Sequence, residues 1–389
     1  MTDRYLPYGR QSIGEDDIAA VNRVLRGDFL TTGPEIASFE MALAGLTGAT
    51  HAMACSSGTA ALHLALAGLG VGEGDICIVP AITFMATANA ARYCNADVVF
   101  ADVDPDTGLM TPETLEAAIG RVDGSIKAVL PVHLTGQTAN MPAIKALADA
   151  NGAYVIEDAC HALGTETPDG PVGNCAHSNA ASFSFHPVKT IACGEGGAVT
   201  TGDAALAGKI ELLRSHGISR DASTFEGDPD EPWRHEMTTL GWNYRMTDIQ
   251  AALGRSQLGK LHAFAARRRE LAEIYDAALT PLAPHIRPIS RVGACDPCWH
   301  LYGVLIDFEA LGQTRADLMR GLAERGIGSQ VHYMPVTSQP YYRRLYGDQT
   351  PPGATNYYER CLSLPLYVGM ETGDPVHVVE TLGELVGIK

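Results

Sequence analysis

Lysine is scarce in this chain: Lys127, Lys145, Lys189, Lys209, Lys260 and Lys389. Five stand in helical, terminal or charged contexts, where a solvated ammonium is the ordinary role. Lys189 is different. It lies in SFSFHPVKTIACGEGGAV, residues 182–199, between two apolar runs, and from Ala180 to Ala207 the one other basic side chain is His186. A lysine in partly apolar surroundings loses some of its preference for the charged form and can become a nucleophile. A loop lysine that snorkels to water fits this segment equally well.

Asp158 stands 31 residues before Lys189, at the end of the apolar run that starts at Ala153. An acid at the carboxyl end of a strand faces the binding crevice of an open α/β sheet; by itself it also reads as a turn or capping residue. A third element is the turn Ser56-Ser57-Gly58-Thr59, between an apolar strand and a helix. Free N–H groups at a helix start, with small hydroxyl side chains, suit a phosphate. The Walker lysine is missing, so the turn is not a nucleotide P-loop. The glycines of Gly68-Leu-Gly-Val-Gly-Glu-Gly do not match G-x-G-x-x-G and follow a helix, so a dinucleotide-binding oxidoreductase has little support. An amine, an acid and a phosphate cradle together describe what pyridoxal 5′-phosphate needs. Its aldehyde condenses with a lysine, and a carboxylate keeps its ring nitrogen protonated, favouring that form by about 1–3 pKa units.

These residues require a scaffold. Up to about residue 215 short apolar runs alternate with helical segments. Strands are expected at His51–Cys55, Ile76–Val79, Asp97–Ala101, Ile126–Val132, Tyr154–Glu157, Ala181–Phe185 and Ala198–Thr201, and helices at Thr59–Gly68 and Met85–Cys94. Thr111-Pro112-Glu113 carries the marks of a helix start. The pattern predicts an α/β fold with a mostly parallel sheet covered on both faces. One long helical segment is expected from Thr247 to about Leu279. Beyond it, Tyr302–Asp307, Thr314–Arg325 and Ser329–Tyr333 read as strand–helix–strand, with a last helix near Asp374–Val386. The division expected is a large domain over 1–255 and a smaller α+β domain over 256–389.

With 28 Lys plus Arg against 45 Asp plus Glu, the net charge is −17, which opposes non-specific nucleic-acid binding. The N-terminus has no apolar signal core, and Met41–Gly72 is too interrupted for a membrane span, so no membrane association is expected. Nine scattered cysteines suit reduced thiols and a cytoplasmic location. Cys295 and Cys298 form one CxxC without a second pair at zinc spacing, and no two of the 13 histidines lie three or four residues apart. No metal is expected.

Several blocks, in order, make the chain resemble the DegT/DnrJ/EryC1/StrS sugar-nucleotide aminotransferases. They are Leu30-Thr-Thr-Gly-Pro, Ser57-Gly-Thr-Ala-Ala-Leu, Glu157-Asp-Ala-Cys-His-Ala-Leu-Gly, Phe183-Ser-Phe-His-Pro-Val-Lys, Gly194-Glu-Gly-Gly-Ala, Arg214-Ser-His-Gly and Gly241-Trp-Asn-Tyr-Arg-Met-Thr-Asp. The resemblance runs from Leu6-Pro-Tyr-Gly-Arg to the C-terminal helix. It implies the aspartate-aminotransferase-like fold (fold type I) and pyridoxal 5′-phosphate as cofactor. Glutamate would be the amino donor, released as 2-oxoglutarate, and a nucleotide sugar the acceptor.

By the same resemblance Lys189 is the Schiff-base and proton-transfer lysine. Asp158 pairs with the ring nitrogen, His161 lies near the ring's 3-oxygen, and Phe84 stacks on the ring face. Gly58, Thr59 and Ser184 hold the phosphate. Asn243 reaches the phosphate of the neighbouring subunit, which implies a homodimer with shared active sites. Tyr8, the segment Asp28, Phe29, Leu30 and Thr31, and His332 with Tyr333 line the sugar-nucleotide site. Judged alone, Phe84 could be core, His161 and His332 satisfied loop histidines, and Asn243 a helix cap.

Within the family, Ala86-Thr-Ala-Asn-Ala, His161-Ala-Leu-Gly, Phe185-His-Pro-Val-Lys, Arg214-Ser-His-Gly, His300-Leu-Tyr and Val331-His-Tyr-Met-Pro are most similar to the C4 aminotransferases of pseudaminic acid biosynthesis. Those act on a UDP-linked 4-keto-6-deoxy-N-acetylhexosamine. Lys189-Thr-Ile-Ala departs from their frequent Lys-Pro-Ile-Thr. The enzymes that make 4-amino-4-deoxy-L-arabinose look similar around His161 and His186, and a C3 amino-sugar enzyme also stays open. Family members that use the cofactor for dehydration carry histidine in place of the lysine, which Lys189 opposes. A non-catalytic sensor that binds the cofactor is the remaining alternative.

Overall fold

The computed structural model describes residues 4–228 and 230–388; Lys389 lies outside them. Two helices, α1 (Glu15–Leu25) and α2 (Pro34–Thr47), precede the main sheet. There follow β1 (His51–Cys55), α3 (Gly58–Gly68), β2 (Ile76–Pro80), α4 (Ala86–Tyr93), β3 (Asp97–Ala101), α5 (Pro112–Ile119), β4 (Ile126–Val129), α6 (Met141–Ala150) and β5 (Tyr154–Asp158). A small hairpin, β6 (Glu166–Thr167) with β7 (Gly170–Pro171), leads to β8 (Ala180–Ser184), β9 (Gly197–Thr201) and α7 (Ala204–Leu213).

Seven strands form one sheet in the order β1-β9-β8-β5-β4-β2-β3. Its pairs are parallel except that β9 runs antiparallel to both β1 and β8. The strands are apolar on both faces: Ile78, Val129, Val155 and Ile156 are fully buried, as are Phe183 and Val199. That is the pattern of a sheet covered twice. Each large apolar side chain so buried contributes about 1.5–3 kcal/mol. The expected strand at 126–132 ends at Val129, with a single further bridge from Val132 to Asp158. Thr111 caps α5 as expected, accepting from Thr114 N–H.

A second hairpin, β10 (Ile218–Ser219) with β11 (Glu236–Met237), leads to α8 (Asp248–Leu258) and α9 (Leu261–Leu279). These are two helices where one was expected. Lys260, at φ −103° and ψ −5°, leaves the helical path, and its Nζ reaches Asp16 and Asp17 of α1, each at 2.6 Å. The 255/256 division falls inside α8.

The remaining elements are β12 (Ile286–Pro288), β13 (Tyr302–Ile306), α10 (Arg315–Glu324), α11 (Pro340–Tyr346), α12 (Pro352–Arg360), β14 (Cys361–Leu364) and α13 (Asp374–Val386). The small antiparallel sheet is β12-β13-β14. Ser329–Tyr333, expected as a strand, touches it through Gln330, which exchanges both backbone bonds with Ser363. The chain then leaves the sheet, and this frees His332 and Tyr333 to face the large sheet. Ile289, Leu305, Val336 and Tyr357 belong to the same buried cluster as β2 and α3. The C-terminal part is therefore fused to the large sheet through apolar packing. No helix among the described residues is long and apolar enough to cross a membrane.

Candidate active site

The carboxyl ends of β1, β2, β5 and β8 lie along one edge of the sheet, and a cavity of about 610 Å³ opens there. Ten of the residues singled out above line it: Tyr8, Gly58, Thr59, Phe84, Asp158, His161, Ser184, Lys189, His332 and Tyr333. Asn243 and the segment Asp28–Thr31 do not; they are exposed on the surface of the single chain. The cavity also takes in residues from both ends of the chain, because Leu6 N–H and C=O pair with Gly326 and Gly328, and Tyr8 C=O accepts from Leu366.

The turn after β1 starts α3 with Ser57 as cap, its Oγ accepting from Ala60 N–H at 3.1 Å. The first N–H groups of a helix have no intrahelical acceptor. Those of Gly58 and Thr59 find none among the described residues and are free for an anion. Glycine is required at 58 because a Cβ there would sit 2.8 Å from Ser184 Cβ. The turn and Ser184 thus form one small cradle.

Asp158 ends β5 and is 5% exposed. Alternation along the strand sends Glu157 to the other face, where it meets His133 Nε2 at 2.7 Å. Asp158 Oδ2 accepts from Thr87 Oγ1 at 2.7 Å, and Oδ1 from Cys160 N–H at 3.2 Å. Thr83 Oγ1 stands 2.7 Å from Thr87 Oγ1. Since the Thr87 proton goes to the carboxylate, Thr83 donates to Thr87. This Thr83–Thr87–Asp158 chain fixes the orientation of the carboxyl group, both of whose oxygens accept a hydrogen bond.

Lys189 sits in the loop between β8 and β9, held by Lys189 N–H to His186 C=O at 2.8 Å. Its Nζ has no hydrogen-bond partner among the described residues. Burial lowers its pKa, and the nearby Cys160 and Asp158 offset this only in part. A larger share of free amine is the state a nucleophile needs.

Across the cavity stands a histidine wall. His161 Nδ1 accepts from Thr135 N–H at 3.3 Å, and its Nε2 lies 3.1 Å from Tyr333 Oη. His300, 3% exposed, packs on His161 with ring centroids 4.3 Å apart. His332 Nδ1 lies 2.9 Å from Ser363 Oγ. Burial, together with the charge of Lys189, pushes all three histidines down, His332 to about 3. They are neutral near pH 7.

Thr83, Thr87 and Cys160 escaped the sequence reading as site residues. His300 appeared there inside a block without a role. A threonine spaced four from another, next to a strand end, is the signal that could have found the chain to Asp158. Arg214 of the Arg-Ser-His-Gly block proves to be an anchor, pairing with Glu40 and donating to Ala54 C=O at 2.6 Å. All nine cysteines are free, and among the described residues no cluster of three His, Cys, Asp or Glu could hold a metal.

Residues 11–383 match the DegT/DnrJ/EryC1/StrS aminotransferase family. The chain belongs to this family. It is 39% identical over 387 residues to the spore coat polysaccharide biosynthesis protein SpsC of Bacillus subtilis, covering 99% of this chain and 98% of that one. Its fold matches Helicobacter pylori PseC, an aminotransferase of pseudaminic acid biosynthesis, with TM-score 0.89 and 29% identity over 99% of this chain and 100% of PseC. It also matches the PLP form of Spr1654 from Streptococcus pneumoniae, with TM-score 0.88 and 27% identity over 98% and 99%. The protein is a PLP-dependent sugar aminotransferase.

The residues fit pyridoxal 5′-phosphate. The Gly58 cradle leaves room and free N–H groups for its phosphate. The buried Asp158 lacks a cation of its own, as the partner of a protonated ring nitrogen should. Lys189 Nζ is unpaired beside it.

Proposed function

We propose that this aminotransferase moves the amino group of glutamate to C4 of a UDP-linked 4-keto-6-deoxy-N-acetylhexosamine, in pseudaminic acid or a related surface glycan. The observation that carries this reading is the end-to-end likeness to PseC. SpsC, named for a spore coat polysaccharide, supports the wider class of surface glycans and favours a different sugar of that class as the second reading.

The bound cofactor supplies a cationic ring that withdraws electrons from the carbon bearing the amine. This chain's residues do the rest. Lys189 takes the proton from the amino-acid carbon and returns it at the sugar carbon. Asp158, oriented by Thr87, holds the ring-nitrogen proton, so its effect falls on kcat more than on KM. Gly58, Thr59 and Ser184 bind the phosphate. Phe84 would cover the ring and His161 would lie on its 3-oxygen side, with Tyr333, 3.1 Å from His161 Nε2, turned to the sugar. Tyr8 and His332 bound the sugar side.

Asn243 and Asp28–Thr31 lie on exposed surface, where Phe29 and Leu30 are about half exposed. We assign them to the cavity of a second copy, making a homodimer with shared sites. The test is a panel of UDP-, GDP- and dTDP-linked keto-sugars with the aminated carbon located by NMR. Turnover of the UDP-4-keto-6-deoxy-N-acetylhexosamine with nitrogen at C4 is expected. Exclusive use of another sugar, or nitrogen at C3, overturns the assignment.

A further inference from the structure

Amination of a ketone needs protons handled at two atoms. The carbon proton falls to Lys189. The oxygen that leaves as water needs a donor of its own, and Asp158 cannot serve because its carboxylate already accepts from Thr87 and Cys160.

The histidine wall supplies that donor. His161 Nδ1 accepts a backbone N–H, so the one proton of the neutral ring is on Nε2. Nε2–H then donates to the Tyr333 oxygen at 3.1 Å. The phenol's own hydrogen has no acceptor among the described residues, and Tyr333 lines the cavity. His300, packed on His161, has a buried Nδ1 without a partner and offers His161 no competing contact.

We propose that Tyr333 is a second catalytic residue, giving its hydroxyl proton to the ketone oxygen of the sugar, with His161 as the positioning residue that aims it. The proposal rests on the reading that a keto-sugar is the amino acceptor. As the amino nitrogen bonds to the ketone carbon, the C=O π pair moves to oxygen, which takes the phenol proton. The nitrogen returns a proton to the phenoxide. A second such exchange expels the oxygen as water while C=N forms, so two protons have passed from nitrogen to oxygen. Burial raises the Tyr333 pKa, which keeps the phenol in its donor form near neutral pH.

The experiment compares holoenzymes carrying Tyr333→Phe, His161→Gln and His161→Leu. It uses whichever keto-sugar the panel above shows to be turned over, so a different sugar does not disturb it. Tyr333→Phe is expected to lower kcat by about 10²–10³-fold, with KM within about threefold. Solvent exchange of the glutamate α-hydrogen, which reports Lys189, should stay near wild type, as should the absorbance of the bound cofactor. His161→Leu should fall like Tyr333→Phe, and His161→Gln, which keeps an N–H donor, should recover at least about tenfold of that loss. Independently of turnover, ¹⁵N NMR of histidine-labelled protein should find His161 protonated on Nε2. The proposal is overturned by wild-type kcat in Tyr333→Phe. In Tyr333→Phe, an equal loss of α-hydrogen exchange or a shifted cofactor absorbance (a ring contact instead) overturns it too, as does a His161 protonated on Nδ1.

Discussion

Two acid–lysine couples in this molecule are built from the same groups and do opposite things. Asp17 of α1 is fully buried and accepts from Gly14 N–H, Ser256 and Gln257 as well as from Lys260. Burial alone would raise its pKa, but these donors together hold it below the usual range, and the two acids Asp16 and Asp17 likewise outweigh burial and raise Lys260. Both Asp17 oxygens and the Lys260 ammonium find partners within the chain, so the couple fastens α1 to the α8–α9 break. Asp158 is buried and Lys189 half-buried beside it, yet no salt bridge joins them among the described residues. Asp158 has two donors and Lys189 Nζ none. Satisfaction within the chain makes a clasp; incompleteness at a cavity wall makes a site that a ligand completes.

That contrast can be broken by substitution. Lys189→Ala should leave thermal stability near wild type and abolish turnover, by at least about 10⁴-fold, because anchor and base go together. Loss of the cofactor's lysine-bound absorbance should accompany it. A variant that turns over at the wild-type rate would end the assignment. Next, Asp158→Asn should lower kcat by about 10–10³-fold, the range a nearby carboxylate exerts on a ring-nitrogen pKa. Urea denaturation should show folding intact.

The clasp predicts the mirror image. Asp17→Asn should cost about 2 kcal/mol of stability, since it weakens buried hydrogen bonds around Gly14 and Gln257, with kcat unchanged. A folded-state pKa below the unfolded value near 3.9 contributes stability above that value and loses it as pH falls. The stability gap between wild type and Asp17→Asn should therefore be full at pH 6 and shrink on acidification below about pH 4. A gap that widens in acid would contradict the pairing. The smallest effect is expected from Thr87→Val, about tenfold in kcat through one lost hydrogen bond to the carboxylate, with KM for glutamate unchanged.

The large sheet was legible because its strands are short, apolar and separated by helical periodicity. The C-terminal part was less so. Cys361–Leu364 is four residues long and follows α12 directly, and Ile286–Pro288 is shorter still, so neither carries a period. Gly259–Lys260 gave no breaker signal stronger than one glycine, and the tie from Lys260 to Asp16 and Asp17 is tertiary. In the site, Lys189, Asp158 and Gly58 announced themselves through scarcity and position at strand ends. Thr87 did not, because its partner is 71 residues away and its helix is otherwise small and apolar.

The antiparallel return of β9 has one more consequence. From β1, β2, β3 and β4 the chain leaves the ligand edge through a helix, and from β5 through the β6–β7 hairpin. Between β8 and β9 it stays there, and Phe185 is bonded to both Gly196 and Cys193. The height of the reactive amine is thus a matter of strand alignment. A slip of one residue between Ala181 and Thr200 would turn alternate side chains over. Substitutions deep in the sheet, far from any bound molecule, can in this way silence the enzyme by moving its lysine along a ruler that the strands provide.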